Sequence, residues 1–171
     1  NTIRPRAVAL STVHTLHRLI SSTLDIEELL PRLARFSMQI LHAKSCSIML
    51  VDRTKKKLIR ETCIGNCRKR IFPKSINIGK GMQGKVAKYA TPILKKQIIV
   101  VPLLEEEVTG VITISDRINK GNFTNFDMEI LTTFAEQAVT AITNARLYLN
   151  QEKIIQGAIR SLVKILESRL P

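Results

Sequence analysis

A length of 171 residues and a hydrophobic content of 44% suit one domain with a sizeable core. No apolar run approaches the roughly 18–20 residues that a membrane helix needs, which excludes a span of that kind. The net charge of +13 is uneven: residues 53–96 hold 14 of the 27 Lys and Arg and a single acid, Glu61.

Residues 5–21 are expected to form a helix, with Val8, Val13, Leu16, Leu19 and Ile20 on one face. His14 and His17 stand three apart on it, a spacing two metal ligands can use. No Cys, Asp or Glu joins them before Asp25, so a polar or interface face is expected there and no metal site. Asp25 then caps a second helix, with Glu28 at the capping-box position and Leu24 and Leu29 as the staple. Pro31 removes one backbone donor, so this helix either kinks or begins near it, and runs to about His42. Residues 46–51 and 58–64 read as an antiparallel hairpin across a charged turn. A basic loop at 65–74, a short strand at 76–78, a Gly-rich turn and a short helix from about Met82 to Tyr89 follow. Pro92 opens a new segment. Residues 98–103 read as a strand, and Glu105-Glu106-Glu107 tips a hairpin into a strand at 108–115.

Thr124 and Asp127 then have the spacing of a capping box, flanked by Phe123 and Met128 as a hydrophobic staple. Past them the apolar period changes from two to about 3.6, and Leu131, Phe134, Ala135, Ala138, Ile142 and Ala145 form one stripe. Only Gly157 interrupts the helical pattern before Pro171. After a polar break at Glu152 and Gln156, Ile155, Ile159, Leu162 and Leu166 repeat with the spacing of a two-helix seam, which in a symmetric dimer is parallel.

The order of these pieces resembles a GAF domain, a small sensory module of phosphodiesterases, histidine kinases, phytochromes and bacterial regulators. The resemblance covers roughly residues 24–148. It rests on Leu24-Asp25-Ile26-Glu27-Glu28-Leu29-Leu30-Pro31, Ile48-Met49-Leu50-Val51-Asp52, Ile78-Gly79-Lys80-Gly81-Met82-x-Gly84-x-Val86-Ala87 and Val101-Pro102-Leu103. It continues through Gly110-Val111-Ile112, Gly121-x-Phe123-Thr124-x-x-Asp127 and Asn144-Ala145-Arg146-Leu147-Tyr148. It implies an α+β fold: a GAF-like antiparallel sheet with the N- and C-terminal helices on one face and a short helix plus loops on the other. It also implies a division into an N-terminal linker or dimerisation helix (1–21), a sensor domain (22–149) and a signalling helix (150–171) that leads to an output domain. The stretch Ser161-Leu162-Val163-Lys164-Ile165-Leu166-Glu167-Ser168-Arg169-Leu170-Pro171 resembles the entry to HD-GYP phosphohydrolases, with histidine-kinase or cyclase outputs as alternatives.

The same resemblance implies a ligand pocket on the second face, at Ile64, Phe72, Ile78, Met82, Val86, Tyr89 and Ser115, with Lys80, Lys85 or Arg70 available to an anionic group. The expected partners are a second copy, through the terminal helices, and a small molecule that the sequence does not name; the cofactor is unknown. Asn119-Lys120, Phe123 and Asp127 resemble the motif of cyclic-nucleotide-binding members, in which the Lys and Asp pair to hold a loop; Met128 departs from it. Two junctions, at Leu94-Lys95 and Leu104-Glu105, are short against the family, and the expectation is that residues are missing there.

The remaining motifs read blandly. Gly79-Lys80-Gly81-Met82-Gln83-Gly84 matches G-x-G-x-x-G but lacks the βαβ setting of a dinucleotide site, so a tight turn is expected. The basic block can meet a nucleic acid, a phosphate or an acidic surface, or be a solvated face around turns; the last is preferred. Five Phe and two Tyr, none interleaved with Lys55-Lys56-Lys57 or Arg68-Lys69-Arg70, leave no stacking platform, so no nucleic acid is expected. Three cysteines without framework spacing point to a reducing, cytoplasmic compartment, with Cys46, Cys63 and Cys67 as buried or loop thiols and a redox or metal-sensing role as the alternative. No nucleophile–base pair or inward carboxylate pair is legible, so catalysis is not expected. No secretory signal opens the chain, which starts in mid-stream as a fragment of a longer protein is expected to.

Overall fold

The computed structural model describes residues 25–169. The expected first helix, with His14 and His17, lies outside them, as does Leu24. Helix α1 (Ile26–Leu41) begins at its Asp25 cap, whose side chain accepts from the Glu27 N–H at 2.9 Å. Pro31 sits inside it without delaying its start. Leu29, Leu30, Leu33 and Ala34 are buried around the proline, and that burial offsets the missing donor. His42 ends the helix in a left-handed conformation.

Six strands follow: β1 (Ala43–Val51), β2 (Lys57–Ile64), β3 (Ser75–Asn77), β4 (Ile93–Lys95), β5 (Ile98–Leu104) and β6 (Val108–Arg117). They form one sheet in the order β3-β2-β1-β6-β5-β4, with every neighbouring pair antiparallel. Helix α2 (Gly81–Tyr89) lies between β3 and β4 in sequence, and helix α3 (Asn125–Arg169) follows β6. Leu94 and Lys95 pair with Ile99 and Ile98, so the short junction closes as a tight hairpin. Leu104 pairs with Val108 across the glutamate tip in the same way.

Alternation sorts the side chains onto two faces. On the first, Cys46, Ile48, Leu50, Ile99, Val101, Leu103, Ile112 and Ile114 meet α1 and the first half of α3. Phe36 of α1 and Phe134 of α3 stack at 5.4 Å between centroids, and the predicted stripe of α3 is buried throughout. On the second face, Met49, Leu58, Val100 and Val111 form a smaller cluster with Val86 and Ala87 of α2. The Gly-rich turn makes α2 fit: Gly81 has φ +61, and a Cβ on Gly84 would strike the Asn77 carbonyl.

Thr124 and Asp127 form the capping box expected of them. Asp127 accepts from the Thr124 N–H at 2.8 Å, and the Asp127 N–H donates to Thr124 Oγ1 at 3.3 Å. From this start α3 runs 45 residues as one helix, about 67 Å at the usual rise. Beyond Leu149 every described residue of it is exposed, including Ile155, Ile159, Leu162 and Leu166.

Candidate functional site

The centre of the second face is polar. Ser45 and Ser47 alternate with Cys46 and Ile48 along β1, and Thr113 and Ser115 alternate with Ile112 and Ile114 along β6. The antiparallel register sets Ser45 opposite Ser115 and Ser47 opposite Thr113. Directly opposed residues bring Cβ atoms to about 5 Å, so four hydroxyls form a compact block on the two central strands. All four residues are fully buried.

Part of the block is satisfied from its roof. Gln83 of α2 is buried, and its Nε2 donates to the Ile71 carbonyl at 2.7 Å and to Thr113 Oγ1 at 3.3 Å. Ser45 Oγ accepts from the Asn66 N–H at 3.0 Å and donates to the Asn66 carbonyl at 3.3 Å. The loop at 65–74 thus closes over the sheet from one side and α2 from the other. Among the described residues, Ser47 and Ser115 have no hydrogen-bond partner for their hydroxyls. A buried polar group in that state costs free energy, which an ordered water, an ion or a ligand's polar group can recover by bonding to it. The block contains no ionisable group; it can recognise a small neutral polar group by hydrogen bonding and has no acid or base to transfer a proton.

The residues anticipated as pocket lining divide between locations. Ser115 is in the block, and Ile78, Met82 and Val86 belong to the apolar cluster of the same face. Phe72 is buried at the end of the roofing loop, where its carbonyl accepts from Arg60 Nη1 at 3.0 Å. Ile64 lies elsewhere: it pairs with Cys46 and packs against the first-face core, because a bulge in the β1–β2 pairing sets the parity of that strand end. Tyr89 is 65% exposed at the end of α2, with Lys88 Nζ 5.4 Å from its ring centroid. Lys80 is the exposed N-cap of α2 and makes no side-chain cap bond. Sequence reasoning missed Ser45, Ser47, Thr113 and Gln83. The available signal was small hydroxyl residues at i and i+2 in strands destined for the middle of the sheet.

Three consecutive residues at the end of β6 connect the block to its surroundings. Ser115 belongs to the block. Asp116, at φ +62, pairs with Arg68 of the roofing loop at 2.9 Å. Arg117 Nη1 donates to Asp127 Oδ2 at 3.4 Å and to the Asn122 carbonyl at 3.0 Å. The expected Lys120–Asp127 tie is therefore replaced by Arg117. Where α3 leaves the sheet, an open groove of about 810 Å³ runs between Ile78 and Ala87 on one side and Arg146 and Lys153 on the other.

The cysteines depart from expectation. Cys63 and Cys67 form a disulfide, with Cα atoms 6.2 Å apart, within the range such bonds span. The turn at Gly65, at φ +92, folds the chain back far enough to bring them together. Cys46 is free and buried, and burial pushes its thiol up from 9.0 to about 12. Among the described residues no cluster of three or more His, Cys, Asp or Glu could hold a metal ion, and no helix is long and apolar enough to cross a membrane.

The fold recurs in known structures. The GAF domain of an Acinetobacter phosphoenolpyruvate-protein phosphotransferase superposes with a TM-score of 0.68 at 16% identity, over 81% of this chain and 94% of that one. The GAF-B domain of DevS from Mycobacterium smegmatis gives 0.60 at 18%, over 73% and 96%. The free methionine-R-sulfoxide reductase of Neisseria meningitidis, solved with its substrate, gives 0.69 at 16%, over 83% and 92%. At these identities the likeness establishes the fold alone, and an enzyme among the neighbours means the fold does not exclude catalysis. No curated protein matches the chain in sequence. The family model for the GAF domain matches residues 25–144, with the antiparallel six-stranded sheet to accompany it. The chain belongs to the GAF domain family.

Proposed function

We propose that this chain is a regulatory sensor module. A small polar ligand, or a partner's side chain, engages the second face at the Ser45/Ser47/Thr113/Ser115 block, and the state of that site passes through α3 to an output domain, of which an HD-GYP phosphohydrolase is one candidate. GAF domains commonly serve as sensory and regulatory modules in signalling proteins, and the family assignment supports that coarse role. The observation that carries the finer reading is the run Ser115-Asp116-Arg117. It ties an unsatisfied buried hydroxyl, the roofing loop and the capping carboxylate of the long helix within three residues. A ligand that shifts the end of β6 therefore biases how α3 starts, and a rigid helix transmits a change at its first turn along its length. The exposed apolar repeat from Ile155 to Leu166 supplies a seam for a second copy, so the relay is read as dimeric.

One observation favours a constitutive dimerisation scaffold: the hydroxyl block is completely covered, with Val86 and Gln83 packed over that face. Native mass spectrometry of the purified protein separates the two readings. A co-purified small molecule, lost together with ligand-induced thermal shifts in Met82→Trp and Val86→Trp but retained in Tyr89→Ala, supports the sensor. A bare dimer that no small-molecule library stabilises supports the scaffold.

A further inference from the structure

The Cys63–Cys67 disulfide sits beside the hydroxyl block. Cys63 is the cross-strand partner of Ser47, so its side chain shares the face of that unsatisfied hydroxyl. Cys67 belongs to the loop that roofs the block, one residue after Asn66, which holds Ser45, and one before Arg68, which holds Asp116. Both cysteines are partly exposed, so a reductant can reach the bond. Arg68-Lys69-Arg70 follows immediately, and cations beside a cysteine favour the thiolate that leaves during exchange. A disulfide closing only a few residues adds less to global stability than one closing a long loop, since the stabilisation expected from a cross-link grows with the loop it closes. Its location is better explained by what it tethers.

We propose that Cys63 and Cys67 are a thiol–disulfide exchange site that latches the roof of the block. The reductant is a low-molecular-weight dithiol. Its thiolate attacks one sulfur of the pair, the Cys63–Cys67 bond breaks, and the other cysteine leaves as a thiolate that takes up a proton. The second thiol of the reductant then displaces the attacked cysteine, which is protonated in turn. Two electrons pass to the protein, and the reductant becomes a cyclic disulfide. Reduced, the loop keeps its hydrogen bonds, the Arg68–Asp116 pair and the buried Phe72 at its far end, and its first half opens more readily over the block. The oxidised state holds it shut. The exchange chemistry stands independently of the sensor reading; its consequence for α3 rests on that reading.

The test uses the whole protein at graded ratios of reduced and oxidised dithiothreitol without denaturant. Maleimide quenching and mass spectrometry follow each cysteine, and amide exchange follows residues 66–72. The expected result is a reversible two-electron transition of Cys63 and Cys67 with buried Cys46 unlabelled throughout. Exchange at 66–72 should be about tenfold faster in the reduced form, as local opening of an untethered loop predicts. The Cys63→Ser/Cys67→Ser variant should exchange like the reduced protein at every ratio. Should that variant not fold, the wild-type titration decides alone. A pair that native reductant leaves intact, or that opens with unchanged exchange at 66–72, overturns the latch. Either result leaves the ligand test by native mass spectrometry standing, so the two readings fail separately.

Discussion

Buried polar residues of the second face divide into those with partners and those without, and the two kinds respond differently to truncation. Gln83 bridges the Ile71 carbonyl and Thr113. Replacing it with Leu removes the donor and strands a carbonyl under the roof, at a cost of about 1–3 kcal/mol. Ser115 makes no such bond, so Ser115→Ala should lie within about 0.5 kcal/mol of the parent or stabilise it, because it removes an unsatisfied group. Urea unfolding of both variants checks the contrast; a large loss for Ser115→Ala would place a hidden partner on its hydroxyl. Cys46 gives a pH signature. Desolvation holds its thiol protonated in the folded protein up to about 12, whereas the unfolded chain releases that proton above 9.0. The unfolded state therefore binds fewer protons in that window. The Cys46 contribution is complete below 9.0 and is lost as pH rises toward 12. Denaturation series on either side of 9.0 should show a steeper alkaline decline for the parent than for Cys46→Ala, since that variant has no thiol to titrate.

The elements with strong periodicity were legible, and the site they frame was less so. The stripe of α3, its Thr124–Asp127 cap and the hairpin of β1 and β2 follow from spacing alone, because burial of one face imposes its period on the sequence. Strand β4 did not announce itself: three residues after Pro92, the last of them the first of a Lys pair, carry too little pattern, and only pairing with β5 defines them. Ala43, Lys44 and Ser45 are weak strand formers, yet β1 includes them because β6 extends to Arg117 opposite. That extension is what buries Ser45 and Ser115 together. Alternating hydroxyls read locally as a solvated face; only the central position of both strands, a property of topology, makes them interior. The Arg117–Asp127 pair was hidden for a related reason, since two nearby cations, Arg117 and Lys120, were available and backbone geometry chose between them. Its role is open to test. Asp127→Asn keeps an acceptor for Thr124 but weakens the tie to Arg117, whereas Thr124→Ala removes the cap hydroxyl at about 1 kcal/mol. Both should lower the melting temperature. Only Asp127→Asn should also raise amide exchange in residues 117–124, because that loop depends on Arg117 for its anchor.

At the scale of the molecule, a compact sheet domain is joined to a helix that outruns it. Residues from 150 to 169 continue α3 for about 30 Å past the sheet, and they carry Ile154, Ile155, Ile159, Leu162, Val163, Ile165 and Leu166 exposed. Exposed all round, that stretch gains nothing from packing on the sheet, and packing supplies most helical stability in folded proteins. The apolar repeat has the spacing to stabilise it by pairing, and a second copy of the same chain presents the identical stripe in register. Ile159→Glu combined with Leu162→Glu puts like charges into that seam. The proposed dimer should then shift to monomer by at least about tenfold in dissociation constant, the change produced by roughly 1.4 kcal/mol. The unfolding transition of the sheet domain should stay where it was, because neither residue touches the core. Sedimentation equilibrium alongside calorimetry reads both quantities. A dimer that survives the double substitution would mean that the seam lies elsewhere, and the long helix would lose its part in the relay.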